Sequence, residues 1–195
     1  MRCVLSENVL PIPLYGSSIA CVGRKIYIYG GVTADDKLSD VILTASTDNP
    51  LEWAISDTTL PYPLSHAYIV QYSESLSIFG GRTAKGNSRK VIYAHTDYPL
   101  DFRTDGREMH VKLRPDPIII GSYVYLVGGY DKSGLTDKIC QAPVREQYMW
   151  DYVKGCKLPF PVKDAIVITY NRTIYAYGGC SSEGASNKIM VITGA

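Results

Sequence analysis

Histidine is scarce in this chain of 195 residues: His66, His95 and His110 are the only three, and they stand at unrelated places. Acid–base or metal chemistry built on imidazole therefore has little to work with. Cysteine is present but unorganised. Cys3, Cys21, Cys140, Cys156 and Cys180 are odd in number and form no Cys-x-x-Cys pair or Cys/His cluster at zinc spacing, so free thiols are expected and no metal site. A surplus of charge is missing too. With a net charge of +1 the chain lacks the excess of Lys and Arg that draws a protein to nucleic acid or to an anionic membrane. No apolar run is long enough to span a bilayer, and Met1-Arg2-Cys3-Val4-Leu5-Ser6-Glu7 lacks the apolar stretch of a secretory leader. A soluble, cytoplasmic or virion-borne protein is the expectation. No Gly-x-Ser-x-Gly elbow, P-loop or dinucleotide fingerprint occurs, and no convincing helical period either. Neither an enzyme nor a cofactor is expected.

What the chain does have is tyrosine and a repeat. Sixteen Tyr against three Phe and two Trp suit strands with one wet face. Ile26-Tyr27-Ile28-Tyr29-Gly30-Gly31 returns as Leu76-Ser77-Ile78-Phe79-Gly80-Gly81, as Val124-Tyr125-Leu126-Val127-Gly128-Gly129 and as Ile174-Tyr175-Ala176-Tyr177-Gly178-Gly179. The first glycines lie 50, 48 and 50 residues apart, and a fixed period marks a repeat architecture. One domain over 1–195 follows, with repeats at about 10–59, 60–108, 109–157 and 158–195.

Upstream of each glycine pair stands a connector: Leu10-Pro11-Ile12-Pro13-Leu14, Leu60-Pro61-Tyr62-Pro63-Leu64, the diverged Met109-His110-Val111-Lys112-Leu113, and Leu158-Pro159-Phe160-Pro161-Val162. Two prolines in five residues exclude a central strand. A short apolar strand follows, then a tight turn and the strand ending in Gly-Gly, which together read as a hairpin. A polar loop and a third strand come next: Val41 to Ala45, Val91 to His95, Lys138 to Ala142 and Lys188 to Ile192. The fourth strand begins near an aromatic residue, Trp53, Phe102 or Trp150. Asn171-Arg172-Thr173 fits a glycosylation pattern but falls in an expected hairpin turn.

The last copy ends at Ile192-Thr193-Gly194-Ala195 without a fourth strand. Cys3-Val4-Leu5-Ser6, however, begins seven residues ahead of Leu10, just as Trp53-Ala54-Ile55-Ser56 begins seven ahead of Leu60. Residues 2–7 are thus expected to complete the last sheet and shut a ring, hiding an edge. The same pairing exchanged between two chains would give a ring of twice the size.

Four copies of this pattern over nearly the whole chain resemble the kelch repeat. The resemblance implies an all-β, four-bladed kelch-type β-propeller, each blade a four-stranded antiparallel sheet, the last closed by the N-terminal strand. It departs from the family in having fewer blades than the usual five to seven and an irregular fourth-strand aromatic. The glycine pairs are read as scaffold, since glycine permits sharp turns and close backbone approach.

Loops after the Gly-Gly strands and the connectors gather, in such a propeller, on one rim around the channel, where recognition normally lies. The candidate binding residues are Asp35, Asp36 and Lys37 of the first loop, Arg82, Lys85 and Arg89 of the second, Tyr130, Asp131 and Lys132 of the third, and Glu183 of the fourth. A non-catalytic module for protein interaction or assembly is the expected function. The Asp-Asn-Pro-Leu-Glu-Trp turn is similar to kelch-like repeats of bacteriophages, so a virion structural protein is one form of that expectation. The alternative is a carbohydrate-binding propeller, or a carbohydrate-active enzyme resembling galactose oxidase, using the tyrosine-rich rim.

Overall fold

The computed structural model describes residues 4–194 apart from 105, 107, 110–116 and 148. All regular structure among these residues is β, arranged as one main antiparallel sheet for each copy of the motif, with two small two-stranded hairpins beside the third and fourth. In the first, Ser18–Val22, Lys25–Thr33, Leu38–Ser46 and Asn49–Ile55 lie side by side. The third is built alike from Ile118–Ile120, Tyr123–Val127, Lys138–Pro143 and Asp151–Lys157. The second has Ser65–Tyr72, Ser75–Thr83 and Val91–His95, and the fourth has Ile166–Tyr170, Thr173–Tyr177 and Ile189–Ile192.

The fourth strand expected at Phe102 to Thr104 is shorter than its pattern suggested. It amounts to one bridge, Tyr93 with Arg103, because the segment before it curls through turns in which Tyr98 and Asp101 donate backbone N–H groups to His95 and Tyr98. Its aromatic still does its packing work. Phe102 meets the Tyr29 ring edge-on at 6.0 Å, and Trp150 meets Phe79 at 5.3 Å, so the aromatic of one repeat wedges against the residue before Gly-Gly of the preceding one.

The connectors leave the sheets at their prolines, as the missing N–H groups require, and the first rejoins its sheet at Leu14, which pairs with Thr33. Removing the N–H at Pro61 and Pro63 leaves Leu60 and Leu64 as donors on either side of Tyr62, and they bond to the carbonyls of Asp40 (2.8 Å) and Ser39 (3.1 Å) in the preceding sheet. Leu158 and Val162 repeat this on Asp137 and Thr136, and Met109 does so on Arg89. The connector then answers the glycine pair. Leu64 O accepts from Gly31 N at 2.8 Å, and Val162 O from Gly129 N at 2.7 Å. A Cβ at Gly30 would lie 2.2 Å from Leu64 O, and one at Gly128 would lie 2.3 Å from Val162 O. The first glycine makes room for the carbonyl that the second binds.

Successive side chains point to opposite faces of a strand, so each inner sheet has one face toward the preceding repeat and one toward the following repeat. Tyr29, Ile42 and Val22 of the first repeat share a core with Leu76, Ile78 and Ile92 of the second. Phe79 and Val91 continue to Leu126 and Cys140, and Val127 and Ile139 to Ile174, Ala176 and Met190. Three cores thus join consecutive repeats, and among the described residues no such core joins the fourth to the first.

The expected closure by residues 2–7 is corrected accordingly. Met1 to Cys3 lie outside the described residues, as do His110 and the rest of the diverged connector up to residue 113. Residues 4–7 form no strand, with Val4 72% and Leu5 98% exposed, and Ile189–Ile192 pairs with Thr173–Tyr177 alone. Spacing located a segment able to be a strand. A single edge strand without packed faces on both sides has too little burial to hold it.

Gly30→Ala should therefore cost much more stability in urea unfolding than Gly23→Ala. Both positions have φ of 60°, but Gly23 has nothing within 4 Å of its would-be Cβ. The left-handed backbone alone costs an alanine about 1–2 kcal/mol. Equal losses at the two positions would show that the close carbonyl contact is immaterial.

Candidate functional site

The loops after the Gly-Gly strands are tight hairpins rather than irregular loops. Thr83-Ala84-Lys85-Gly86, Asp131-Lys132-Ser133-Gly134 and Ser181-Ser182-Glu183-Gly184 each pair their first and fourth residues. The side-chain oxygen at the first position fixes the turn: Thr83 Oγ1 donates to Gly86 O at 3.1 Å, and Asp131 Oδ1 accepts from Ser133 N at 2.8 Å. Gly86, Gly134 and Gly184 have φ of 97°, 120° and 104°, a region glycine reaches without strain. Each hairpin therefore presents two side chains at its tip.

A hydroxyl then sets the entry to the third strand. Ser39, Ser88, Thr136 and Ser186 accept from the backbone N–H of Val41, Lys90, Lys138 and Lys188 at 3.1, 3.1, 3.3 and 3.2 Å. The same Ser/Thr position recurs in all four copies, and that recurrence was the sequence signal for this rigid exit from the loop.

Between the first and second loops opens a cavity of about 1250 Å3, lined also by Tyr62 and Pro63 of the connector and by Tyr15 and Lys132. Its lining includes six cations, Lys37, Arg82, Lys85, Arg89, Lys90 and Lys132, against two carboxylates, Asp36 and Glu108. Arg89 is ion-paired with Glu108, and Tyr15 Oη donates to Asp36 at 3.0 Å, which raises the Tyr15 phenol above its ordinary value. The Lys90 ammonium stands 5.1 Å above the Tyr62 ring, whose hydroxyl is pushed up by burial. Arg82, Lys85 and Lys132 are exposed and have no ion pair among the described residues. In a chain of net charge +1, positive charge is concentrated here. A cleft of one sign focuses its field and raises the local concentration of anions.

Six of the ten sequence candidates, Asp36, Lys37, Arg82, Lys85, Arg89 and Lys132, line this cavity. Asp35, Tyr130, Asp131 and Glu183 do not. Asp35 is held at about 2 by the Lys37 ammonium at 2.5 Å and the Thr33 hydroxyl. Tyr130 lies beneath the Lys163 ammonium, and Glu183 is at the exposed tip of the fourth hairpin. Sequence reasoning missed Tyr15, Tyr62 and Glu108, which come from connector and strand ends that only the packing of two repeats brings to one wall. His66 stands beside the cavity with φ of 52°, its ring against Tyr15 and Gly16, while His95 lies elsewhere, 3.4 Å from Glu74. Cys140 is buried, and burial raises its thiol to about 12.

The chain matches no family model, and no curated protein matches it at a significant level.

Asp131 serves its own hairpin. Its side chain is 7% exposed, accepts from both Ser133 N and Ser133 Oγ, and pairs with Lys138 Nζ at 2.9 Å. These contacts depress its pKa, the Ser133 hydroxyl most of all. A depressed carboxylate adds stability above its unfolded pKa near ~3.9 and loses it as pH falls toward the folded value. Asp131→Ala should lose about 1.5–3 kcal/mol at neutral pH, the usual worth of hydrogen bonds to a charged group. The gap to wild type should narrow below pH about 4 in chemical unfolding; a gap independent of pH would contradict the assignment.

Proposed function

We propose that the chain is a non-catalytic binding module built from four kelch-type repeats, and that the cavity beside its loops takes an acidic segment of a protein partner. The observation that carries this reading is the meeting of six cations with two carboxylates in a nearly neutral molecule. Hairpins pinned by their own side chains and by the connector give such a surface little to reorganise on binding, which favours affinity. Charge complementarity sets partner choice and association rate. The cations and hydrogen-bonding groups among the lining residues are matched to carboxylates presented along a chain.

A carbohydrate reading has one specific support, the Tyr15 and Tyr62 rings in the same lining, which suit a sugar carrying carboxylates. Fluorescence anisotropy with a labelled oligoglutamate peptide and a labelled oligouronate separates the two. The peptide is expected to bind at low ionic strength and to weaken as salt is raised. Changing both Arg82→Glu and Lys85→Glu should cost the peptide about tenfold or more in Kd, equivalent to about 1.4 kcal/mol. No peptide binding at low salt, or equal binding by the variant, overturns the proposal, and binding of the oligouronate alone transfers the site to acidic glycans.

A further inference from the structure

Among the described residues, the two end faces of the repeat array are apolar and carry large exposed side chains. On the fourth sheet, register aligns Ile166 with Tyr177 and Ile189, and Ile168 with Tyr175 and Val191. Ile166 is 69% and Ile189 63% exposed. On the first sheet, the face away from the second repeat carries the rows Ile19, Ile28, Leu43, Ile55 and Cys21, Ile26, Ala45, Trp53, in which Leu43 and Ala45 are buried beneath their neighbours and Ile55 is 52% exposed. Ile19 is 62% exposed. Terminal repeats of such arrays ordinarily turn a polar face outward to stay soluble, and contiguous apolar patches on a surface mark an interaction site.

The structure itself shows what covers such faces. Ile189 occupies the position that Ile42 holds in the first repeat, and Tyr177 that of Tyr29, residues whose face is packed by the second repeat. Ile19, Ile26 and Ile28 occupy the positions of Ile69, Leu76 and Ile78, the face that does the covering. The wedge of aromatics has the same open ends. Phe102 meets Tyr29 and Trp150 meets Phe79, whereas Tyr177 on the fourth face and Trp53 on the first are each left half-exposed.

We propose that two copies of this chain associate head to tail, the outer face of the fourth sheet in each covering the outer face of the first sheet in the other, to close a ring of eight sheets. The contact continues the interfaces already formed between consecutive repeats, and Trp53 of one copy takes the place beside Tyr177 of the other that Phe102 takes beside Tyr29. Such head-to-tail contacts close when the rotation permits, and eight sheets lie within the range of propeller rings. The inference rests on the reading of the chain as an assembly module but uses neither the cavity nor its cations.

Light scattering after size exclusion tests it. Wild type is expected at the mass of two chains, twice the 21.5 kDa of one. Ile189→Glu and Ile19→Glu place a charge on the fourth and first faces at exposed positions that an isolated chain tolerates, with circular dichroism as the check that both fold. Each should fall twofold in mass, to a single chain. An equal mixture should recover a two-chain species, because the intact first face of one variant meets the intact fourth face of the other. The Arg82→Glu, Lys85→Glu variant should keep the two-chain mass, so loss of peptide binding and loss of assembly are told apart. A single-chain wild type, a mixture that stays single, or an open-ended series of larger masses overturns the proposal.

Discussion

A carbonyl oxygen pressed against a glycine Cα holds consecutive repeats in register. Leu64 O and Val162 O sit where a Cβ of Gly30 or Gly128 would be and accept the N–H of Gly31 or Gly129. A buried backbone donor left unmatched is costly, so the contact is both attractive and exclusive: only this spacing satisfies the donor, and only glycine admits the acceptor. Everything near it inherits the position. The connector is fixed at its first residue by Asp40, Arg89 or Asp137, its leucines or methionine fill the core between sheets, and the aromatic wedge closes the far side.

The same contact accounts for where recognition can occur. In the second, third and fourth repeats the glycine pair stands directly before the hairpin, so a bond made at the pair fixes where the hairpin starts. The tips are free to differ, and they do: Lys85 at the second, Lys132 at the third, Glu183 at the fourth. Basic tips next to the basic strand ends of the second repeat line the cleft, together with the connector aromatic Tyr62.

Much of the scaffold was legible from the sequence. The alternation in Ile26-Tyr27-Ile28-Tyr29 and the prolines at 61 and 63 are local signals whose consequences do not depend on the rest of the fold, and both expectations match the structure. Where the sequence misled, the deciding physics was non-local. Phe102 marked a strand, but turns around Tyr98 shortened it to a bridge while its ring kept the expected contact. Spacing pointed to a closing strand at the N-terminus, yet pairing needs a packed face behind it, and no sequence period reports whether two ends of an array meet. The candidate site divided the same way. Loop residues were found by position in the repeat, whereas Tyr15, Tyr62 and Glu108 join them only through the packing of one repeat on the next, and Asp131, polar and in a loop, proved to serve its own turn.

The central claim is that the glycine-to-connector bond is a structural fastening between repeats. Backbone amide hydrogen exchange on the native chain measures it most directly. The N–H groups of Gly31 and Gly129, together with those of Leu60, Met109 and Leu158, should exchange as slowly as the central strand amides of Ile28 and Leu126. Exchange of the two glycine amides at the rate of the hairpin tips at Lys85 and Lys132 would contradict the account.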